Sequence, residues 1–342
     1  MVKHLLTGLM VCGLLLAGCS AIDEDLDNCG KEYVLRYDLR LLTNMTTELE
    51  TVLSEDADQP VAEALRDYLR PIFTDYAHDV DLAFYNVTAD SALSHHEEHI
   101  MDAHQTSYTI YLPVRQYMHL ALANIADARN VSYSVPERSS DAELVQQKTD
   151  TVLPHNTGLF TARLPMDVQE GIDQTFFVHL YMVNSALALV VDTTDCHITN
   201  LKAVAFDMAD GFLMRDSVYT FTSQPVVATD VLNVNGGHQA CLATVCFPSH
   251  RPVIRYQYPA SPYPAAEGNQ NANEIWHMRL YATCSDGKVT ENVLSFRDPL
   301  LAGNLKIFKL RMFRDGSVAS SSSVGVSVTL DWKPGGTYTP SI

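Results

Sequence analysis

From Tyr33 to Leu41 the chain alternates with period two: Tyr33, Leu35, Tyr37, Leu39 and Leu41 fall on one face, and Val34, Arg36, Asp38 and Arg40 on the other. Successive side chains of a strand point to opposite faces, so this pattern fits a half-buried strand whose apolar face must meet a core. Val80, Leu82 and Phe84 alternate in the same way, as do Tyr108, Ile110 and Leu112 before Pro113. Phe176 to Val183, Val204 to Met208, Leu305 to Phe313 and Val324 to Leu330 read as further strands. One segment departs from the pattern. Asp58-Gln59-Pro60 opens a helix with Val61, Leu65, Tyr68 and Leu69 on one face; Pro60 suits its first turn and Pro71 ends it. The predicted class is all-β, with a short helix in the first half.

Stretches rich in Ser, Asn, Gly and Pro punctuate the strands, notably 130–140, 259–273 and 319–323. Between Val152 and Asp173 the patterning is broken by Pro154, Asn156, Gly158 and Pro165, and it resumes at Phe176. Short strands with turn signals on either side of that break predict two antiparallel β-sandwiches in tandem, over residues 33–160 and 161–342.

The segment ahead of the first strand sets the address. Lys3 supplies a positive charge, and Leu5 to Leu16 form an apolar run broken only by Thr7, Gly8 and Gly13. Leu16-Ala17-Gly18-Cys19 closes it as a lipoprotein cleavage box, with small residues before a cysteine that can be diacylated. The run is too short to span a bilayer, which takes about 20 apolar residues. Residues 1–18 are therefore read as a signal peptide cut between Gly18 and Cys19, and 19–32 as a tether lipidated on Cys19. One acyl chain holds a protein marginally and several hold it firmly, so a multiply acylated Cys19 is a stable attachment to membrane lipid. Ser20 is not an inner-membrane retention aspartate. Asp23, Glu24, Asp25 and Asp27 resemble the surface-export signal of Bacteroides-type lipoproteins. The expected location is the outer membrane, at the cell surface.

With 41 acidic against 23 basic residues the chain carries a formal charge of −18. Such a surface repels phosphate backbones, which excludes nucleic acid as a partner, and it offers no polybasic clamp for a membrane. Beyond Cys19 the chain keeps Cys29, Cys196, Cys241, Cys246 and Cys284, an odd set that leaves at least one thiol unpaired within the chain. This is not a dense disulfide framework, so the cores must supply most of the stability.

Four segments in fixed order carry a family resemblance. They are Ile22-Asp23-Glu24-Asp25-Leu26-Asp27-Asn28-Cys29; Tyr33-Val34-Leu35-Arg36-Tyr37-Asp38; Tyr108-Thr109-Ile110-Tyr111-Leu112-Pro113 running into Tyr117-Met118-His119-Leu120-Ala121-Leu122-Ala123-Asn124; and Val328-Thr329-Leu330-Asp331-Trp332-Lys333-Pro334-Gly335-Gly336-Thr337-Tyr338. Together with the lipobox they resemble the FimB-type fimbrial anchor family of Bacteroides-type bacteria, over essentially the whole mature chain. The resemblance implies two transthyretin-like β-sandwiches in a lipidated subunit that fixes a type V pilus to the outer membrane. A fimbrial stalk subunit is the implied partner, and neither catalytic residues nor a cofactor is implied. In such fimbriae one subunit's strand completes the sandwich of the next, and Arg36 and Arg40 resemble sites where stalk subunits are clipped. A basal anchor clipped there would lose its lipid, so the Tyr33–Leu41 strand is expected to stay uncut. The last strand, with Val324, Val326, Val328 and Leu330 alternating, is expected to close the second domain itself. The resemblance also brings in O-glycans, because Asp90-Ser91-Ala92, Asp150-Thr151-Val152, Asp192-Thr193-Thr194 and Asp216-Ser217-Val218 resemble the O-glycosylation acceptor triplet of these bacteria.

Other chemistry leaves fainter marks. His95-His96-Glu97-Glu98-His99 followed by His104 would place His95 and His99 on one face of a helix, a spacing that can hold zinc. Ile100 stands four after His96, so the zincin pattern is missing, and the segment reads as a polar loop leading into the Tyr108 strand. No metal site is assigned. Cys241 and Cys246 are compatible with a tight disulfide at a turn; in one straight strand their odd separation would instead put them on opposite faces. A nucleophile elbow, a Walker loop and a dinucleotide turn are all missing from the sequence, so no enzyme activity is expected. Two function classes stand: a lipid-held base for a fimbria, and a surface lipoprotein that captures glycan or another host ligand. Trp276, Trp332 and sixteen tyrosines are the aromatic stock for such a glycan platform.

Overall fold

The computed structural model describes residues 32–42, 58–73, 77–88, 90–100, 107–249, 276–297, 299–320 and 326–331. Gly18, Cys19, Cys29, His104, Trp332 and the tail at 335–342 lie outside the described residues.

The alternating segment forms β1 (Glu32–Leu42), with Leu35, Tyr37 and Leu39 buried and Val34, Arg36 and Arg40 exposed. It joins β2 (Asp79–Asn86), β3 (Leu93–Ile100), β4 (Ser107–Pro113), β5 (Gln116–Ala123), β8 (Phe160–Asp167) and β9 (Gln174–Met182). These seven make one sheet in the order β3-β2-β5-β8-β9-β1-β4. A four-stranded sheet combines β6 (Val131–Ser132) and β7 (Glu143–Gln146) with β12 (Gly211–Leu213) and β13 (Val218–Thr220). Two five-stranded sheets complete the fold. One contains β10 (Ser185–Asp192), β15 (Asp230–Leu232), β16 (Gln239–Cys246), β19 (Leu305–Met312) and β20 (Val318–Ser320). The other contains β11 (Ile198–Phe206), β14 (Val227–Ala228), β17 (Trp276–Cys284), β18 (Val289–Phe296) and β21 (Val326–Asp331). β21 pairs antiparallel with β18 at the edge of this last sheet, so the final strand does complete the second half.

The change between halves falls later than the sequence predicts. An end at residue 160 would cut β8 from its sheet, yet β8 pairs with β5 along its whole length and β9 pairs with β1. The first sheet therefore runs to Met182, and the second-half sheets begin at Ser185. Pro165 looks like a breaker but lies where β8 pairs with β5 alone, since β9 meets β8 only at Phe160 and Thr161. The halves also interlock, because β7 pairs with β12 across the boundary. Both halves place their first strand between an antiparallel and a parallel neighbour: β1 between β4 and β9, and β10 between β16 and β19.

Three apolar clusters hold the layers. The largest joins Leu35, Tyr37 and Phe84 of the seven-stranded sheet to Ala188, Val190 and Cys241 of the five-stranded sheet that contains β10 and β16. The helix α1 (Gln59–Leu69) inserts Val61, Ala62, Leu65 and Leu69 into that same cluster. Its first turn carries Pro60, as the sequence predicts, and its outer ends are tied to the second half. Gln239 Nε2 donates to Asp58 Oδ2 at 2.6 Å, and the Tyr68 hydroxyl donates to Asp230 Oδ2 at 2.9 Å. A second cluster fills the sandwich between the two five-stranded sheets, around Trp276 stacked on Phe296 at 4.1 Å. The third packs Tyr85 and Leu122 against Leu144, Phe212 and Tyr219 of the small sheet.

Because Leu65 is fully buried where the halves share a core, Leu65→Ala is expected to cost about 2–5 kcal/mol through lost burial and the cavity left behind. Urea unfolding followed by circular dichroism should keep one transition with a lowered midpoint. A first phase that lowers only part of the signal would show the halves to be uncoupled.

Candidate interaction surface

β1 does not lie at a sheet edge. β1 pairs with β4 along Glu32–Asp38 and with β9 along Leu35–Leu42, so its backbone is bonded on both sides. Its inward side chains are latched as well. The Tyr37 hydroxyl donates to His119 Nε2 on β5, and His119 Nδ1–H donates to Ala83 O at 3.0 Å. Phe84 stacks on the imidazole at 4.3 Å. Burial holds His119 neutral, pushing its pKa down to about 4, and drives the Tyr37 phenol well above its ordinary value. Outward, Val34 and Tyr111 are direct partners across β1 and β4, each 52% exposed, and Phe177 on β9 is 56% exposed. Asp38 accepts from the Ser107 hydroxyl on this face and lies 3.5 Å from Arg36 Nε. Among the described residues β4 pairs with β1 alone, so an apolar strip runs up to an open sheet edge. An edge of this kind can accept an added strand, with side-chain pockets supplying selectivity.

The histidine-rich segment is a strand, not a loop. β3 pairs with β2 through a register shift between Phe84 and Tyr85 and forms the other edge of the sheet. His95 and His99 therefore share no helical face. His95 Nε2 instead meets Glu97 Oε1 at 2.6 Å, and its ring packs 5.8 Å from Phe84. On the opposite face Asp81, His96 and Glu98 each offer a ligand atom, all within 4.8 Å of one another. His96 Nε2 is 2.8 Å from Asp81 Oδ2. Asp81 comes from β2 and the other two from β3, so the cluster exists only once the strands are paired. Burial raises the Asp81 pKa.

Cys241 and Cys246 sit on the single straight strand β16, in different apolar clusters, which rules out the tight disulfide between them. Burial raises both thiols to about 12. Cys196 and Cys284, 88 positions apart, place their sulfurs 3.3 Å from each other. Of the acceptor triplets, Asp216-Ser217-Val218 cannot carry a glycan in the folded chain, because Ser217 is completely buried under Met214 O. Ser91, Thr151 and Thr193 are half-buried, and Thr193 Oγ1 donates to His238 O at 2.8 Å. Trp276 is buried too, and so is lost to a surface platform.

No family model matches the chain, and no curated protein matches it in sequence. Solved structures do share its fold. A candidate adhesin from Bacteroides ovatus superposes with a TM-score of 0.53 at 12% identity, covering 81% of this chain and 87% of that one. A candidate polysaccharide-binding protein from Bacteroides thetaiotaomicron gives 0.51 at 12% identity, covering 85% and 99%. The fimbrial anchor protein Mfa2 from Porphyromonas gingivalis gives 0.47 at 11% identity, covering 87% and 99%. The first two likenesses establish a fold shared with these two Bacteroides proteins.

Proposed function

We propose that this chain is a lipid-anchored subunit of a type V fimbria, built on two transthyretin-like β-sandwiches, that fixes the fibre to the outer membrane through strand-mediated contacts with a stalk subunit. The observation that carries this reading is the position of β1. On this reading the polypeptide leaving Cys19 enters the fold as an interior strand, paired with β4 over Glu32–Asp38 and with β9 over Leu35–Leu42. Proteases need locally unfolded backbone, so Arg36 on the doubly paired stretch and Arg40 on the stretch paired with β9 support an attachment that stays uncut. The adhesin-type fold supports a place at the cell surface. The burial of Trp276 weighs against the alternative, a glycan-capturing lipoprotein, and the role is structural and not catalytic.

Photo-crosslinkers at exposed Tyr111 on β4 and exposed Val231 on β15, introduced in assembling cells, test the reading together with N-terminal sequencing of the mature protein. The expected result is a lipidated N-terminus at Cys19, lost in Cys19→Ala, and a crosslink to a fimbrial subunit from one of the two edges. A mature chain starting after Arg36 or Arg40, equal labelling of Cys19→Ala by a palmitate analogue, or crosslinks to no fimbrial subunit would overturn it.

A further inference from the structure

We infer that Cys196 and Cys284 form a disulfide in the mature protein, an internal staple closing the segment that runs from β11 to β17. Their sulfurs lie 3.3 Å apart, and both residues are only 7% exposed. The neighbouring backbone holds them in place. Cys196 N–H donates to Thr193 O at 3.1 Å in a turn just ahead of β11, and Ser285 N–H donates to His197 O at 2.9 Å. Ile198 then pairs directly with Cys284, so the two cysteines meet where β11 begins and β17 ends. Forming the bond needs the sulfurs to close by little more than an ångström, since a disulfide spans about 2.05 Å.

Of the other described thiols, Cys241 lies in a different core, and Cys246 sits opposite Ser185 at the end of β16, while the sulfurs in contact are those of Cys196 and Cys284. The chemistry is exchange with a disulfide donor R–S–S–R, a thiol oxidase or an oxidised low-molecular-weight thiol of the exported compartment. One cysteine thiolate attacks a donor sulfur and expels RS⁻, leaving a mixed disulfide. The second thiolate attacks the protein sulfur of that bond and expels the other RS⁻. The protein loses two electrons, the donor gains them, and the two cysteine protons finish on two molecules of RSH.

Burial, with Cys196 beside it, raises the Cys284 thiol to about 11, so that sulfur reacts slowly once the fold has closed. The bond must form while the chain is still folding, and afterwards the same burial shields it from reductant. The segment it closes spans 88 positions, long enough for a large restriction of the unfolded chain.

The inference rests on export of the chain, and the test separates the two. Full-length protein is taken from its native surface, and in parallel is denatured, reduced and refolded in glutathione disulfide; each sample is mapped without reduction by mass spectrometry. The expected result in both is a linked pair of peptides containing Cys196 and Cys284, two hydrogens lighter than the free thiols. Wild-type protein refolded without oxidant should melt lower than the oxidised form by on the order of 5–10 °C. The double variant Cys196→Ser with Cys284→Ser should melt alike with and without oxidant. Free thiols in both preparations overturn the pairing. A bond found only after refolding overturns it for the native protein and places the fault with export, not with geometry.

Discussion

A chain beginning after Leu42 is expected to lose its stable monomeric fold. Excision removes the partner of both β4 and β9 and opens a groove lined by the core that Leu35, Tyr37 and Leu39 fill. Truncating a single buried residue of that size costs about 2–5 kcal/mol, and a whole domain has only about 5–15 kcal/mol to lose. The hydroxyl partner of His119 goes with it. Gel filtration should show aggregates or strand-exchanged oligomers, and a synthetic Glu32–Leu42 peptide added during refolding should restore monomer. A truncated chain that stays monomeric with an unchanged melting temperature would refute the central place given to this strand.

Acid should weaken the protein over a defined window. His119 and His155 are held neutral by burial, with folded pKa values of about 4 and about 3. His155 Nε2–H donates to Gln146 Oε1 at 2.7 Å, and Asn184 stands at its other nitrogen at 3.5 Å. In the unfolded chain each imidazole takes up a proton near pH 6.5. Between those limits the unfolded state binds more protons, so stability rises with pH. The contribution is complete above about pH 6.5 and drains away as pH falls toward 3, together on the order of 5–8 kcal/mol. Denaturant midpoints measured from pH 7.5 to 3.5 should fall accordingly. His155→Gln keeps a hydrogen-bonding amide without the titration, and should remove a large part of the slope. A flat profile for the native chain would contradict both assignments.

Much of the fold is legible in the sequence where one face meets a core and the other meets water. The alternation of Tyr33–Leu41 became β1, and the helix predicted from Pro60 and its apolar stripe runs from Gln59 to Leu69. The signal fails where that asymmetry fails. Ser185–Asp192 reads Ser-Ala-Leu-Ala-Leu-Val-Val-Asp, because β10 is covered on both faces by two different cores and has no polar face to alternate with. At the other extreme, β3 carries His and Glu where apolar residues would have announced a strand, since an edge position tolerates them. The Asp81–His96–Glu98 cluster and the Cys196–Cys284 contact depend on register between strands far apart in the chain, which no local pattern encodes. β17 was not anticipated from the sequence, although its pattern is local. Its Trp276, Met278, Leu280 and Ala282 alternate as plainly as the inward residues of β1 do.

The doubly paired strand also has a mechanical meaning. A pull directed along the axis of β1 meets hydrogen bonds to β4 and β9 that lie across that axis. The pull is therefore resisted in shear, by two ladders at once, and bonds along the strand must give way together. A strand peeled sideways from a sheet edge would yield one bond at a time at far lower force. A chain pulled along β1 is thus resisted by both ladders together.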